Sequence, residues 1–156
     1  MTTHSSAAAL SLLASEAREA RSDPIKSEAA LLQALEMAPE DEQVRLGAYR
    51  FYFYNHRYAE ALPHAEALIA SAARRLNCPT DWRAVRPEDA PFTEAEFAPG
   101  MLLQCLIAWG YCHLRLGDMD EARAAMAQCA LLDPTDRFGA AAILGHIEAR
   151  EAGEED

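Results

Sequence analysis

Lysine is almost absent from this sequence, which contains one lysine, Lys26, beside scattered arginines. Lysine and arginine together number 14 against 25 aspartates and glutamates, so the formal net charge is −11. Binding to nucleic acid or to an anionic membrane requires clustered cationic side chains. The composition therefore argues against nucleic acid and membrane as partners, and it favours a partner protein that is basic or apolar.

Long hydrophobic runs and paired cysteine motifs are also lacking. No stretch of about 18 apolar residues occurs, and the N-terminal segment does not have the basic start and apolar stretch of a signal peptide. The cysteines, Cys78, Cys105, Cys112 and Cys129, show no C-x-x-C spacing, which favours buried thiols over disulfides. We therefore expect a cytoplasmic protein without a metal ion or cofactor. The alanine- and arginine-rich usage suggests a bacterial source.

Sequence motifs of catalysis are missing as well. The chain has no glycine-rich phosphate loop, no nucleophile elbow, no H-E-x-x-H sequence and no paired catalytic carboxylates. We therefore expect a protein that is not an enzyme, and we assign no catalytic residue.

Helix-forming segments make up most of the chain. Hydrophobic residues account for 51% of 156 residues, which is enough for a continuous core in one domain. Asp-Pro, Ala-Pro and Gly-Asp dipeptides interrupt the helical repeat of apolar residues, and they mark the ends of the predicted helices. The pattern after residue 23 predicts helices at about 25–37, 41–55, 58–76, 101–116, 119–132 and 136–152. Residues 77–100 carry four prolines and no sustained period, and they predict a long loop.

The most specific pattern is LIAWGYCHLRLGDMDEARAAMAQCALLDP, residues 106–134. It resembles the tetratricopeptide repeat (TPR), a helix-turn-helix unit of about 34 residues. The family's slots for large and small residues hold Leu106, Trp109, Gly110, His113, Ala122, Met126, Cys129 and Pro134, with Gly117 in the turn. Small residues at Gly110 and Ala122 would allow two antiparallel helices to approach closely.

The resemblance implies an all-α fold, a TPR-like α-solenoid of three helix-turn-helix repeats followed by a C-terminal capping helix. In a single domain, 1–156, the register gives repeats at about 8–41, 42–75 and 103–136, an insertion at 76–102 and a capping helix at 137–152. Helix pairs of this kind must stack, because one pair cannot bury both of its faces. The layout resembles that of type III secretion translocator chaperones, which lack this insertion.

The segment YRFYFYNHRY, residues 49–58, places six aromatic residues in ten positions. In the repeat register Tyr49, Tyr52 and Tyr58 take packing positions, whereas Phe53 and Tyr54 fall on the concave face with Arg50. The third repeat contributes further residues to that face. The predicted groove residues are Arg50, Phe53, Tyr54, Gln104, Ile107, Tyr111, Leu114 and Arg115.

This groove suggests a non-catalytic adaptor or chaperone that binds a peptide or helix of another protein. The lysine, asparagine and arginine with which the family grips a terminal carboxylate have no equivalents here. The alternative is a self-associating structural scaffold in which the 76–102 insertion, with Trp82, Phe92 and Phe97, fills the groove. A homodimer is compatible with either hypothesis.

Overall fold

The computed structural model describes residues 9, 24–94 and 97–153. Within these residues the regular elements are helices and no strand occurs, so the all-α prediction is confirmed. The α-helices are α1 (Pro24–Met37), α2 (Glu42–Tyr54), α3 (Tyr58–Arg75), α4 (Phe97–Leu116), α5 (Met119–Leu132) and α6 (Ala140–Glu151). The first helix of the first predicted repeat lies outside the described residues, apart from Ala9.

The chain divides into two compact units, residues 1–64 and 65–156. We call them the N-terminal unit and the C-terminal unit; the division falls within α3. In the N-terminal unit α1 packs on α2, and Ala9 is buried with Ala34, Ala38 and Val44. In the C-terminal unit α5 packs against both α4 and α6. Each unit therefore has helix pairs in contact, as a repeat protein requires.

Helices α2, α3 and α4 end in the same kind of turn. Just beyond the end of each helix, a single residue adopts the left-handed conformation: His56 with φ of 58°, Asn77 with 58° and Gly117 with 86°. The following N–H group then bonds to a carbonyl five residues earlier, at 2.8 Å in all three turns: Arg57 to Tyr52, Cys78 to Ala73 and Asp118 to His113. This arrangement satisfies carbonyls that the helix leaves unpaired, and it reverses the chain for the next element.

Two helices begin about four residues away from their predicted starts. Helix α4 begins at Phe97 rather than near Met101, because Pro99 falls in its first turn, where no N–H group is needed. Helix α6 begins at Ala140 rather than near Asp136. Asp136 and Gly139 both have positive φ, 54° and 83°, so the chain turns before α6 begins.

The segment between α3 and α4 is packed rather than an open loop. It contains two short 3-10 helices, Trp82–Ala84 and Pro87–Asp89, and it buries Trp82, Val85 and Phe92. The Gln128 amide on α5 donates hydrogen bonds to the carbonyls of Trp82 at 3.0 Å and Val85 at 2.6 Å. The insertion is therefore an integral part of the C-terminal unit.

The cysteines are all buried thiols, as the sequence predicts. Burial, reinforced by the nearby charge of Asp133, raises the pKa of the Cys129 thiol far above its ordinary value. Burial also raises the pKa of Cys78, with Asp89 adding to the effect. Both thiols are protonated at neutral pH and lack the exposed thiolate that a nucleophile needs.

Candidate protein-interaction surface

Three of the predicted groove residues, Arg50, Phe53 and Tyr54, lie on α2 and are here called the α2 set. Tyr54 is 73% exposed, the highest value among the large apolar side chains that the structure describes. The half-buried Phe53 ring lies 5.4 Å from the rings of both Tyr49 and Tyr54, and 5.7 Å from that of Tyr58. Phe53 therefore connects the exposed Tyr54 ring to the rings of Tyr49 and Tyr58.

The neighbouring Tyr52 is core, as its packing position predicts. Its side chain is 4% exposed, its hydroxyl donates to Glu28 Oε2 at 2.9 Å, and its ring stacks on His64 at 5.7 Å. Burial, followed by the hydrogen bond to Glu28, raises the pKa of Tyr52 to about 12. Arg45 Nη1 lies 3.1 Å from His64 Nδ1, and burial together with the Arg45 charge lowers the pKa of His64. One face of α2 is thus fixed by internal contacts.

An ionic network joins α1 to the turn after α2. The Arg57 guanidinium binds both carboxylate oxygens of Glu28, at 2.8 and 2.9 Å, and also both oxygens of Glu60, at 2.7 and 2.5 Å. The hydrogen bond from Arg57 holds the pKa of Glu28 below its ordinary value. Such bidentate pairs fix geometry as well as charge. The network holds the end of α2, where Tyr54 lies, in place.

The other predicted residues lie on α4 and are here called the α4 set: Gln104, Ile107, Tyr111, Leu114 and Arg115. Gln104 and Arg115 are exposed, whereas the other three are half-buried. Arg115 Nη1 donates to the Tyr111 hydroxyl at 3.2 Å, with the guanidinium carbon 6.0 Å from the ring centre. The α4 set therefore combines an aromatic ring with a guanidinium, as the α2 set does.

The buried side of α4 confirms the predicted close approach of two helices. A Cβ atom at Gly110 would lie 2.9 Å from Ala125 Cβ and 2.9 Å from Met126 Cε on α5. Carbon atoms pack without strain at about 3.5–4.0 Å. The two contacts are equally close and lie three and four residues after the predicted Ala122, whose carbonyl oxygen is 3.6 Å away. Only glycine fits at position 110 without a shift of α5.

The sequence did not predict that the tryptophans meet. Trp82 comes from the insertion and Trp109 from α4, and their rings lie 5.3 Å apart, edge to face. Trp109 Nε1 donates to Glu66 at 3.1 Å, and the Arg83 guanidinium lies over the Trp82 ring at 4.1 Å. Arg83 also pairs with Glu121 on α5 at 2.6 Å. The repeat pattern indicates a packing role for Trp109 but carries no signal for its partner.

Metal-ligand clusters and membrane-spanning helices are both missing from the part of the chain that the structure describes. Among residues 9, 24–94 and 97–153, no three or more His, Cys, Asp or Glu side chains group in a way that could hold a metal ion. In the same ranges no helix is both long and apolar enough to span a bilayer.

Comparison with known proteins finds one repeat in this chain. A family model of the tetratricopeptide repeat matches residues 103–136, the range of the third predicted repeat. An uncharacterized 19.8 kDa protein in the nifW 5′ region of Azotobacter chroococcum mcd 1 is 36% identical over 128 residues, which are 81% of this chain and 72% of that protein. The chain contains a tetratricopeptide repeat at residues 103–136, and it belongs to the same family as the Azotobacter protein. No solved structure matches this repeat protein. Repeats of this family serve protein–protein interaction, and their stacking creates extended binding surfaces.

Proposed function

We propose that this protein is a non-catalytic adaptor or chaperone that binds a peptide or helix of a partner protein, with the α2 set of the N-terminal unit and the α4 set of the C-terminal unit as its two candidate contact surfaces. The observation that carries the proposal is Tyr54, which is 73% exposed at the end of a helix whose neighbouring aromatic side chains are buried or half-buried. Tyrosine is enriched among the residues that dominate binding energy at interfaces. The Tyr54 ring continues into the half-buried Phe53 and Tyr49 rings, and contiguous exposed apolar surface marks sites of interaction.

Charge supports the same proposal. The chain carries a net charge of −11, yet both sets include an exposed arginine, Arg50 and Arg115. Arg50 lies one helical turn before Tyr54, so both side chains lie on one face of α2. Arginine beside tyrosine suits a partner segment that is apolar in its middle and acidic at its ends.

The test is affinity capture with paired tyrosine variants. Wild type, Tyr54→Ala, Tyr111→Ala and the double variant are used as bait in extract of the native cells, and co-purifying proteins are quantified. Each single change should reduce capture of the partner about tenfold, because interface tyrosines commonly contribute more than ~1.4 kcal/mol. Far-ultraviolet circular dichroism should show unchanged helicity.

A matched control is Leu131→Ala on α5, which removes a 57% exposed apolar side chain outside both sets. Capture by this variant should equal that of the wild type. Unchanged capture by the double tyrosine variant, or an equal loss with Leu131→Ala, would refute the proposed surface.

The second candidate, a self-associating scaffold, is favoured by the packed insertion. Deletion of residues 78–98 cannot separate the two functions, because it removes the buried Trp82, Val85 and Phe92 from the C-terminal unit. Light scattering across a hundredfold range of concentration is the better test. A stable oligomer that the Tyr54→Ala and Tyr111→Ala changes dissolve would favour the scaffold, whereas a monomer that captures a partner favours the adaptor.

A further inference from the structure

A small cavity lies within the C-terminal unit, where the insertion meets α3 and α4. Its volume is about 220 Å³, below the ~300–1,000 Å³ of sites for drug-sized ligands. The residues that define its chemistry are Glu66, Ile69, Asp81, Trp82, Arg83 and Trp109. The size suits one amino-acid side chain rather than a cofactor.

The walls combine indole rings with carboxylates. Trp82 and Trp109 form the aromatic wall, and the buried Ile69 adds an apolar one. Among the described residues, Glu66 accepts a hydrogen bond from Trp109 Nε1 through Oε1, and Asp81 accepts one from the Arg83 N–H through Oδ1. The other oxygen of each carboxylate, Glu66 Oε2 and Asp81 Oδ2, has no hydrogen bond from the described part of the chain. Two carboxylate oxygens are therefore available beside the rings.

Arg83 shows which kind of group this aromatic wall accepts. Its guanidinium lies 4.1 Å from the Trp82 ring and 5.8 Å from the Trp109 ring, within the range of cation–π attraction. Its charge is balanced outside the cavity by Glu121, at 2.6 Å. The remaining charges of the lining, Glu66 and Asp81, are negative, so the cavity has an electrostatic preference for a further cation.

We propose that this cavity binds the guanidinium of an arginine side chain presented by the partner protein. The planar cation would stack on the indole rings and pair with Glu66 and Asp81. Arginine fits better than lysine, because its flat, weakly hydrated head group both stacks and bonds in a fork. The assignment of the arginine to a partner rests on the proposed function, whereas the chemistry of the cavity stands independently of it.

The tryptophans provide a direct readout in the full-length protein. Trp82 and Trp109 are the chain's two tryptophans, so intrinsic tryptophan fluorescence reports on this cavity. Titration with N-acetyl-L-arginine amide should give a saturable change with a Kd of about millimolar, since one side chain supplies few contacts. N-acetyl-L-lysine amide should bind at least threefold more weakly. N-acetyl-L-citrulline amide, a neutral analogue of the same shape, should give no saturable change.

Variants test the two carboxylates. Glu66→Gln and Asp81→Asn should each weaken binding of the arginine probe about two- to fivefold, as partly exposed ion pairs do. Glu88→Gln, which neutralises an exposed glutamate of the insertion outside the cavity, should bind as the wild type does. An equal response to citrulline and arginine, no response to arginine, or unchanged affinity in both carboxylate variants would overturn the assignment.

The same titration separates this inference from the proposed function. The Tyr54→Ala/Tyr111→Ala double variant leaves the cavity intact, so it should bind the arginine probe with wild-type affinity. If partner capture does not depend on those tyrosines but the probe still binds, the cavity assignment survives and the proposed function of the α2 and α4 sets does not. Loss of probe binding in the double variant would refute a cavity that works independently of these tyrosines.

Discussion

The turns of the second and third repeats share a backbone but not a residue. His56 and Gly117 occupy the same register position, with φ of 58° and 86°. In both turns the two reversing hydrogen bonds measure 3.1 and 2.8 Å. In the second repeat the residue with positive φ itself makes a side-chain bond, between His56 Nδ1 and the Tyr58 hydroxyl at 2.9 Å. In the third repeat the side-chain bond across the turn joins His113 Nδ1 and Asp118 Oδ2 at 3.0 Å, and Gly117 takes no part in it. The same left-handed conformation is therefore needed in both turns. Glycine adopts it without strain, whereas at His56 a side-chain hydrogen bond offsets the strain.

The two repeats also differ at the helix contact. Gly110 of the third repeat is buried against α5, whereas the register places the half-buried Tyr49 at the corresponding position of the second repeat. Tyr49 supports Phe53 through a ring contact at 5.4 Å. The third repeat therefore uses this position for close helix packing, and the second uses it to support an aromatic surface.

The largest effect should come from Gly110→Ala. The added methyl group would lie 2.9 Å from Ala125 Cβ, so α5 must move. We expect a loss of about 1–3 kcal/mol in the free energy of unfolding, although alanine has a higher helix propensity. Gly145→Ala on α6 is the control, since nothing lies within 4 Å of its added methyl group, and it should gain up to about 1 kcal/mol. Urea denaturation followed by circular dichroism measures both, and equal stabilities would contradict the close contact.

Substitutions in the turns should have the next largest effects on stability. Gly117→Ala should cost about 1 kcal/mol, because alanine resists the left-handed conformation. His56→Ala should cost about 1–2 kcal/mol, since it keeps that strain and loses the bond to Tyr58. His56→Gly should change stability by less than about 0.5 kcal/mol, because relief of strain offsets the lost bond. Urea titrations of the three variants give the order, and a His56→Gly variant less stable than His56→Ala would invert the argument.

Glu28→Gln should cost less than Gly117→Ala or His56→Ala, with a loss of about 0.5–1 kcal/mol at pH 7. Arg57 lowers the folded-state pKa of Glu28 below 4.5, so this stabilisation is present above that pH and is lost as pH falls through the folded-state value. The difference between variant and wild type should therefore shrink towards zero as the pH falls through the folded-state pKa of Glu28. Glu36→Gln, an exposed glutamate on the same helix, is the control. A difference that persists in acid would show that the contribution of Glu28 is not ionic.

Local sequence signals predicted most of the helices. Helix α5 has its predicted bounds, and each end of α1, α2 and α3 lies within one residue of its predicted position. These ends were predictable because caps and turn residues act within a few positions. The same helical period separated the buried Tyr52 from the exposed Tyr54. The structure of the insertion was not predictable in this way. It depends on non-local contacts, such as Gln128 with Trp82 and Trp82 with Trp109, that no local pattern encodes.

The positions of the cysteines have a practical consequence. All four thiols lie between residues 78 and 129, in the C-terminal unit, and all are buried. Cys112 and Cys129 are almost completely buried, so an alkylating reagent reaches these two thiols when that unit opens, and their rate of pulse labelling reports on the opening. The N-terminal unit adds no labelled site of its own. The native cysteines therefore allow the opening of the C-terminal unit to be followed without an engineered probe.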